Sequence, residues 1–199
     1  MKIAVVVGSQ RENSQSAKVG QVIAEKLDLQ GDDNSVELIE LSATPLPLWD
    51  VSLSEQGQSD LSEMESRVSD CDAFVIISPE WHGMVPAALK NFFLYFSGGQ
   101  LAHKPALIVA VSAGDGGSYP IVELRTSSYK NSRICYLPEH LIIRHVESVF
   151  NPDGENDPKS QAYLEKRLDY ALGVLQSYGA GMRLIREQLP DGSPFPNGM

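Results

Sequence analysis

The chain has 199 residues, 42% of them hydrophobic and 21% charged, with a formal net charge of -10. That is one globular domain's worth of chain, and with its sixteen Lys and Arg dispersed it excludes nucleic acid and anionic membrane surfaces as partners. The two cysteines, Cys71 and Cys135, have no metal-type spacing, and no apolar run reaches the length of a membrane span, so reduced thiols in a cytoplasmic protein are expected.

Residues 2–7, KIAVVV, form a short Val/Ile-rich run stopped by Gly8, the pattern of a buried strand. Residues 14–29 follow as a helix, with Ala17, Val19, Val22, Ile23 and Leu27 on one face and Ser14 able to cap the start. Residues 35–41 are read as a second strand, and residues 44–59, rich in Pro, Ser, Gly and Gln, as a loop excursion. Leu61, Met64 and Val68 share one face of a second helix. Residues 73–78 give a third strand, and Pro86 is placed at the first position of a helix over residues 86–96. Residues 106–112 give a fourth strand, residues 121–130 a helix, and residues 140–146 a last strand. NPDGENDP, residues 151–158, does not have its glycine at the offset a calcium loop requires and is expected to be a solvated polar loop. Leu164, Leu168, Ala171 and Leu175 mark the final helix.

Alternating strands and helices with buried apolar strands imply an α/β fold with a parallel sheet. Five strands suit the flavodoxin-like order 2-1-3-4-5, with helices on both faces. Residues 1–188 are expected to make that domain, and residues 189–199 an irregular Pro/Gly-rich tail.

In such a sheet, ligands bind beyond the carboxyl ends of the strands at the switch point. Three unusual loops leave strands one, three and four: GSQRENS, PEWHGMV and AGDGGS. The first suits an anion, because a helix N-terminus offers free N–H groups; Ser9, Ser14 and Ser16 add hydroxyls, and Arg11 a bidentate cation. GxxxxGK[ST] and GxGxxG are both absent, which disfavours a nucleoside triphosphate and a standard dinucleotide mode. A Ser-capped helix beside a solvated arginine is the bland alternative. The third loop strips away side-chain bulk so that backbone can approach a flat ligand, or is simply a flexible turn. In the second, Trp81 can stack on a planar ring or merely pack at a helix start, and His82 can donate to a ring or be a surface histidine. No histidine or carboxylate partner stands at metal-ligand spacing, so no metal is expected.

Together the three segments resemble the NADPH-dependent FMN reductases. GSQRENSQS is similar to that family's GSxRxxS signature, SPEWHGMVPAALKN to its (S/T)PEYNxSxPxxLKN segment, and SAGDGGS to its SxGxxGG loop. The resemblance implies bound FMN, NADPH or NADH as hydride donor, and a small acceptor such as a flavin, quinone, azo dye or chromate. It implies that Ser9, Arg11, Ser14 and Ser16 hold the phosphate, that Pro79, Glu80, Trp81, His82 and Gly83 line the flavin ring, and that Ser112, Ala113, Gly114 and Gly117 flank its other side. No side chain is required as catalytic acid or base; His82 is the nearest candidate proton donor. A homodimer or homotetramer is expected through the helix over residues 86–96, whose Phe92, Phe93, Leu94, Tyr95 and Phe96 are apolar nearly all round. Trp81-His82 stands where that family has Tyr-Asn, and Met84 where it has Ser, so the room beside the ring differs. Two other readings stay open: a flavodoxin-type electron carrier, and an oligomeric module without cofactor.

Overall fold

A computed structural model describes residues 1–30, 35–49, 52–97, 99–152 and 154–195. Residues 50–51 of the loop excursion, residue 153 of the polar loop and residues 196–199 of the tail therefore lie outside the described residues. The strands are β1 Lys2–Val7, β2 Ser35–Glu40, β3 Ala73–Pro79, β4 Pro105–Val111 and β5 Cys135–Ile143. All neighbours pair in parallel, in the order β2-β1-β3-β4-β5. The helices are α1 Gln15–Leu29, α2 Glu55–Ser69, α3 Ala87–Tyr95, α4 Ser118–Ser127 and α5 Pro158–Glu187.

The pleat divides the core in two, because successive strand side chains point to opposite faces. Ile3, Val5, Val7, Val75, Ile77, Leu107 and Val109 meet Val19, Ile23 and Leu27 of α1 and Leu168, Leu172 and Leu175 of α5. Ala4, Val6, Phe74, Ile76, Ile108 and Ala110 meet Met64 and Val68 of α2, Leu89 and Phe92 of α3, and Leu124 of α4. Each fully buried aliphatic side chain of this kind stabilises by about 1.5–3 kcal/mol. Every residue of β3 and β4 is buried, which is why those central strands read as unbroken apolar runs.

Strands β2, β3 and β4 differ from the sequence expectations by one residue at one or both ends, and four other elements depart for a local physical reason. Helix α2 starts at Glu55, inside the supposed loop, because Ser54 caps it by accepting the Gly57 N–H at 3.1 Å. Pro86 is the N-cap of α3, with ψ at 146°, rather than its first helical residue. Helix α4 runs over Ser118–Ser127, earlier than expected, because Pro120 falls in its first turn, where a missing N–H costs nothing. Strand β5 begins at Cys135 and stops at Ile143. A register shift between Ala106 and Ile108 lets the edge strand carry Pro138 within it. Val146 belongs instead to a short 3-10 turn, Val146–Ser148.

The aromatic helix α3 is also less exposed than its sequence suggested. Phe92, Phe93 and Phe96 are buried within the chain, and Phe92 packs edge-on to Phe93 at 5.6 Å. Asn91 and Tyr95 fasten the preceding excursion over the helix: Asn91 donates to the Pro47 carbonyl at 2.7 Å and accepts the Trp49 N–H at 2.8 Å, and the Tyr95 hydroxyl donates to the Leu48 carbonyl. Leu94, 54% exposed, is left facing outward.

Candidate active site

Because the sheet is parallel, the loops leaving all its strands open at one edge. After β1, Ser9 is fully buried and its Oγ accepts the Arg11 N–H at 3.2 Å. Asn13 takes a left-handed φ of 50° and Ser14 follows as the α1 N-cap, accepting the Ala17 N–H at 3.1 Å. Helix geometry leaves the N–H groups of Gln15 and Ser16 without intrahelical partners, and they open toward the strand edge beside the buried Ser16.

After β3 the chain makes a two-residue hairpin. The Trp81 N–H donates to the Met84 carbonyl at 3.2 Å and the Met84 N–H donates to the Trp81 carbonyl at 3.0 Å. His82 at φ 52° and Gly83 at φ 74° occupy the central positions, the pattern of a type I′ turn. His82 is thus an exposed tip residue in a conformation that His and Asn tolerate and β-branched residues do not. His82→Asn is expected to leave thermal stability unchanged and His82→Val to lower it by about 1–3 kcal/mol. Equal melting curves for the two variants would contradict the turn assignment.

Glu80 reaches from this loop to the next. Its Oε2 accepts the Gly117 N–H at 2.6 Å and the Tyr119 N–H at 3.3 Å. Gly117 is the N-cap of α4 and has no side chain to do this itself. A carboxylate at a helix N-terminus also meets the positive end of the macrodipole. A Cβ on Gly116 would stand 2.6 Å from Glu80 Oε1, so the small residue there allows the carboxylate in. The hairpin is held from its other end as well, where Glu123 accepts the Val85 N–H at 2.8 Å and pairs with Lys90 at 2.5 Å.

A fourth loop, after β5, was not anticipated. Arg144 Nε donates to the carbonyls of Asp115 and Gly116, and His145 Nε2 lies 2.9 Å from Asp115 Oδ1. The Val146 N–H donates to the Ser112 carbonyl at 3.2 Å. Lys18 of α1 then ties this loop down by donating from Nζ to the carbonyls of Val146 and Val149 and to Asn151 Oδ1, at 2.7–2.8 Å. Burial lowers the Lys18 pKa, with the Glu147 carboxylate acting against that shift. The polar stretch beyond closes on itself through Asn151 and Asn156, and Asp157 caps α5 at Ser160.

Between the loops lies a crevice of about 370 Å³, lined by residues of all four, among them Ser9, Arg11, Ser14, Ser16, Pro79, Glu80, Trp81 and Ala113. That is within the range of small-molecule sites. Val111, Val146 and Glu147, together with Glu12, Asn13 and Gln15, also line it. His82, Gly83, Ser112, Gly114 and Gly117 do not; they shape the hairpin and the third loop behind the wall. Among the described residues Arg11 is the crevice's only cationic lining residue, against Glu12, Glu80 and Glu147. A larger groove of about 650 Å³ runs between α3 and α4, lined by Trp49, Phe93 and Leu94 among others. It lies away from the strand ends and lacks the anion cradle, so the crevice is the better candidate despite its smaller volume. Among the described residues no group of three His, Cys, Asp or Glu side chains is placed to hold a metal ion.

The residues present fit a phosphorylated flat ligand. Open N–H groups, three serines and one arginine converge at the start of α1, and an indole and a glycine-bearing loop form walls that a ring can enter.

Comparison with known proteins agrees with this geometry. The family model for NADPH-dependent FMN reductases matches residues 1–147. The chain is 25% identical over 155 residues to an NADPH azoreductase of Bacillus sp. (strain OY1-2), covering 78% of this chain and 82% of that one. It is 29% identical over 186 residues to a 2-hydroxy-1,4-benzoquinone reductase of Burkholderia sp., covering 87% and 96%. The solved structure of FerB, a flavoenzyme NAD(P)H:(acceptor) oxidoreductase from Paracoccus denitrificans, superposes with a TM-score of 0.67 at 22% identity, covering 92% and 97%. This last likeness is one of fold.

Proposed function

The chain belongs to the NADPH-dependent FMN reductase family, and from that premise we propose that the crevice beyond β1, β3 and β4 is its FMN site. The protein is an FMN-dependent oxidoreductase supplied by a nicotinamide donor. When bound, FMN supplies the hydride chemistry; the protein supplies binding, orientation and electrostatics.

The observation that carries the assignment is the anion cradle at the start of α1. The N–H groups of Gln15 and Ser16, the hydroxyls of Ser9, Ser14 and Ser16, and the Arg11 guanidinium hold the phosphate. Pro79, Glu80 and Trp81 form one wall for the ring and Ala113 the other, with Val111 and Val146 giving an apolar lining that excludes water. His82, Gly83, Ser112, Gly114 and Gly117 act behind that wall, by fixing the backbone that meets the ring. The Trp81 indole narrows the space beside the ring, which favours planar acceptors. A quinone, azo compound or free flavin is therefore the expected acceptor ahead of tetrahedral chromate, in keeping with the azoreductase and quinone reductase relatives. Steady-state rates with each acceptor class at fixed NADPH test this. Chromate turning over faster than every planar acceptor would contradict it.

We propose residues 1–188 as one flavin-binding domain, with residues 189–199 as a tail. Packing of α5 on the same sheet face as α1 supports that extent. A cytoplasmic location is supported by two free cysteines, and no helix among the described residues is long and apolar enough to cross a membrane. A homo-oligomer is supported by the α3–α4 groove, whose rim exposes Leu94 and Trp49. Sedimentation is expected to give a species heavier than one chain, and Leu94→Glu to shift it toward the single chain. A parent protein that sediments as one chain would remove this part.

A further inference from the structure

We propose that Trp81 is a positioning residue for the anion-binding arginine. Its indole holds the Arg11 guanidinium across the crevice before any phosphate arrives. The inference rests on the reading of the crevice as the FMN site. The Arg11 Cζ lies over the Trp81 ring, 4.6 Å from its centroid, so the contact joins the loop after β1 to the hairpin after β3. Both residues line the crevice.

Arg11 is an exposed residue on a loop, and a long side chain in that setting is ordinarily spread over many rotamers. Two carboxylates, Glu12 and Glu147, line the same crevice and compete for it. Among the described residues no ion pair joins Arg11 to either, or to any other acid. The indole is the contact that holds the cation instead. Tryptophan is the aromatic side chain that attracts a cation most strongly. A guanidinium held over a ring commits none of its N–H donors to a carboxylate, so they stay available for a planar, bidentate phosphate contact. Trp81 is itself fixed, because both ends of its hairpin are bonded across the turn and Glu80 beside it is bonded to α4. The arginine is thereby ordered from a rigid wall rather than from its own loop.

Trp81 also walls the flavin ring, and riboflavin, which lacks the phosphate, separates that role from the positioning of Arg11. Dissociation constants for FMN and riboflavin are to be measured by flavin fluorescence on the apoprotein, for the parent, Trp81→Leu, Trp81→Phe, Arg11→Met and the Arg11→Met/Trp81→Leu double variant. The proposal expects Trp81→Leu to weaken FMN binding about three- to fivefold more than it weakens riboflavin binding, the scale of an exposed cation–π contact. Trp81→Phe should retain part of the FMN affinity, and once Arg11 is Met, Trp81→Leu should weaken FMN binding no more than it weakens riboflavin binding. Equal weakening of FMN and riboflavin by Trp81→Leu, or an undiminished effect of Trp81→Leu in the Arg11→Met background, would overturn it. A parent protein that binds FMN no tighter than riboflavin would overturn the phosphate-site reading itself, which is a separate result. Near-ultraviolet circular dichroism of each apoprotein checks that it is folded; if Trp81→Leu is not, Trp81→Phe and Arg11→Met carry the comparison.

Discussion

Gly117→Ala is expected to lower the unfolding free energy by about 3 kcal/mol, combining overpacking and backbone strain. Gly117 has φ 103°, where side chains other than glycine are strained. It is also buried against the edge strand: an added Cβ would clash with Ile142 Cγ2. Neither problem can be relieved without moving the first turn of α4 away from β5, and that turn carries the N–H groups that Glu80 caps. Urea titration should show a lower midpoint with an unchanged slope. Adding Ile142→Ala should return part of the steric loss and none of the backbone strain. A Gly117→Ala protein within about 0.5 kcal/mol of the parent, the ordinary scatter of harmless surface changes, would show that α4 does not dock as described.

Glu80→Ala is expected to cost about 2 kcal/mol, since it removes a charged cap from two N–H groups at once. The loss should carry through to the cofactor. Among the described residues, Glu80 is the one side chain bonded directly from the hairpin wall to the N-terminus of α4, so without it the third loop is free to shift away from the crevice. Glu80→Gln keeps an acceptor oxygen but not the charge that meets the helix dipole, and should lie between the two. Thermal melts of the apoprotein and FMN affinity should therefore fall together across the series. A Glu80→Ala protein that melts like the parent but binds FMN poorly would assign the carboxylate to the ligand instead of to the helix.

These two residues also show where the sequence was informative. Strands β1, β3 and β4 stand out because they are buried on both faces, and burial of that kind leaves a local signature of continuous Val, Ile and Ala. Their order follows from connection rules, so the meeting of three loops at one edge was legible before any coordinates. Ser14 as a cap was legible too, from its place just before an amphipathic run. The edge strand was not: Pro138 looks like a strand breaker, and only the bulge against β4 explains how it is accommodated. The role of Lys18 has no local sign, because its three acceptors lie more than a hundred residues away. For the same reason the loop after β5 was missed as a wall of the crevice. The aromatic run in α3 was only partly legible. The sheet and the Asn91-fastened excursion cover Phe92, Phe93 and Phe96 within one chain, which leaves Leu94 as the exposed part of the run. His82 has no local sign of its turn role, because the left-handed φ that it shares with Gly83 appears only once Trp81 and Met84 pair across the hairpin.

The hydride-transfer account meets its most direct test in the absorption spectrum of FMN-loaded protein before and after anaerobic addition of NADPH. The account predicts a yellow protein whose flavin band disappears with one equivalent of donor and returns when a quinone is added. A protein that holds FMN but keeps its colour with excess NADPH would contradict it and would favour a one-electron carrier.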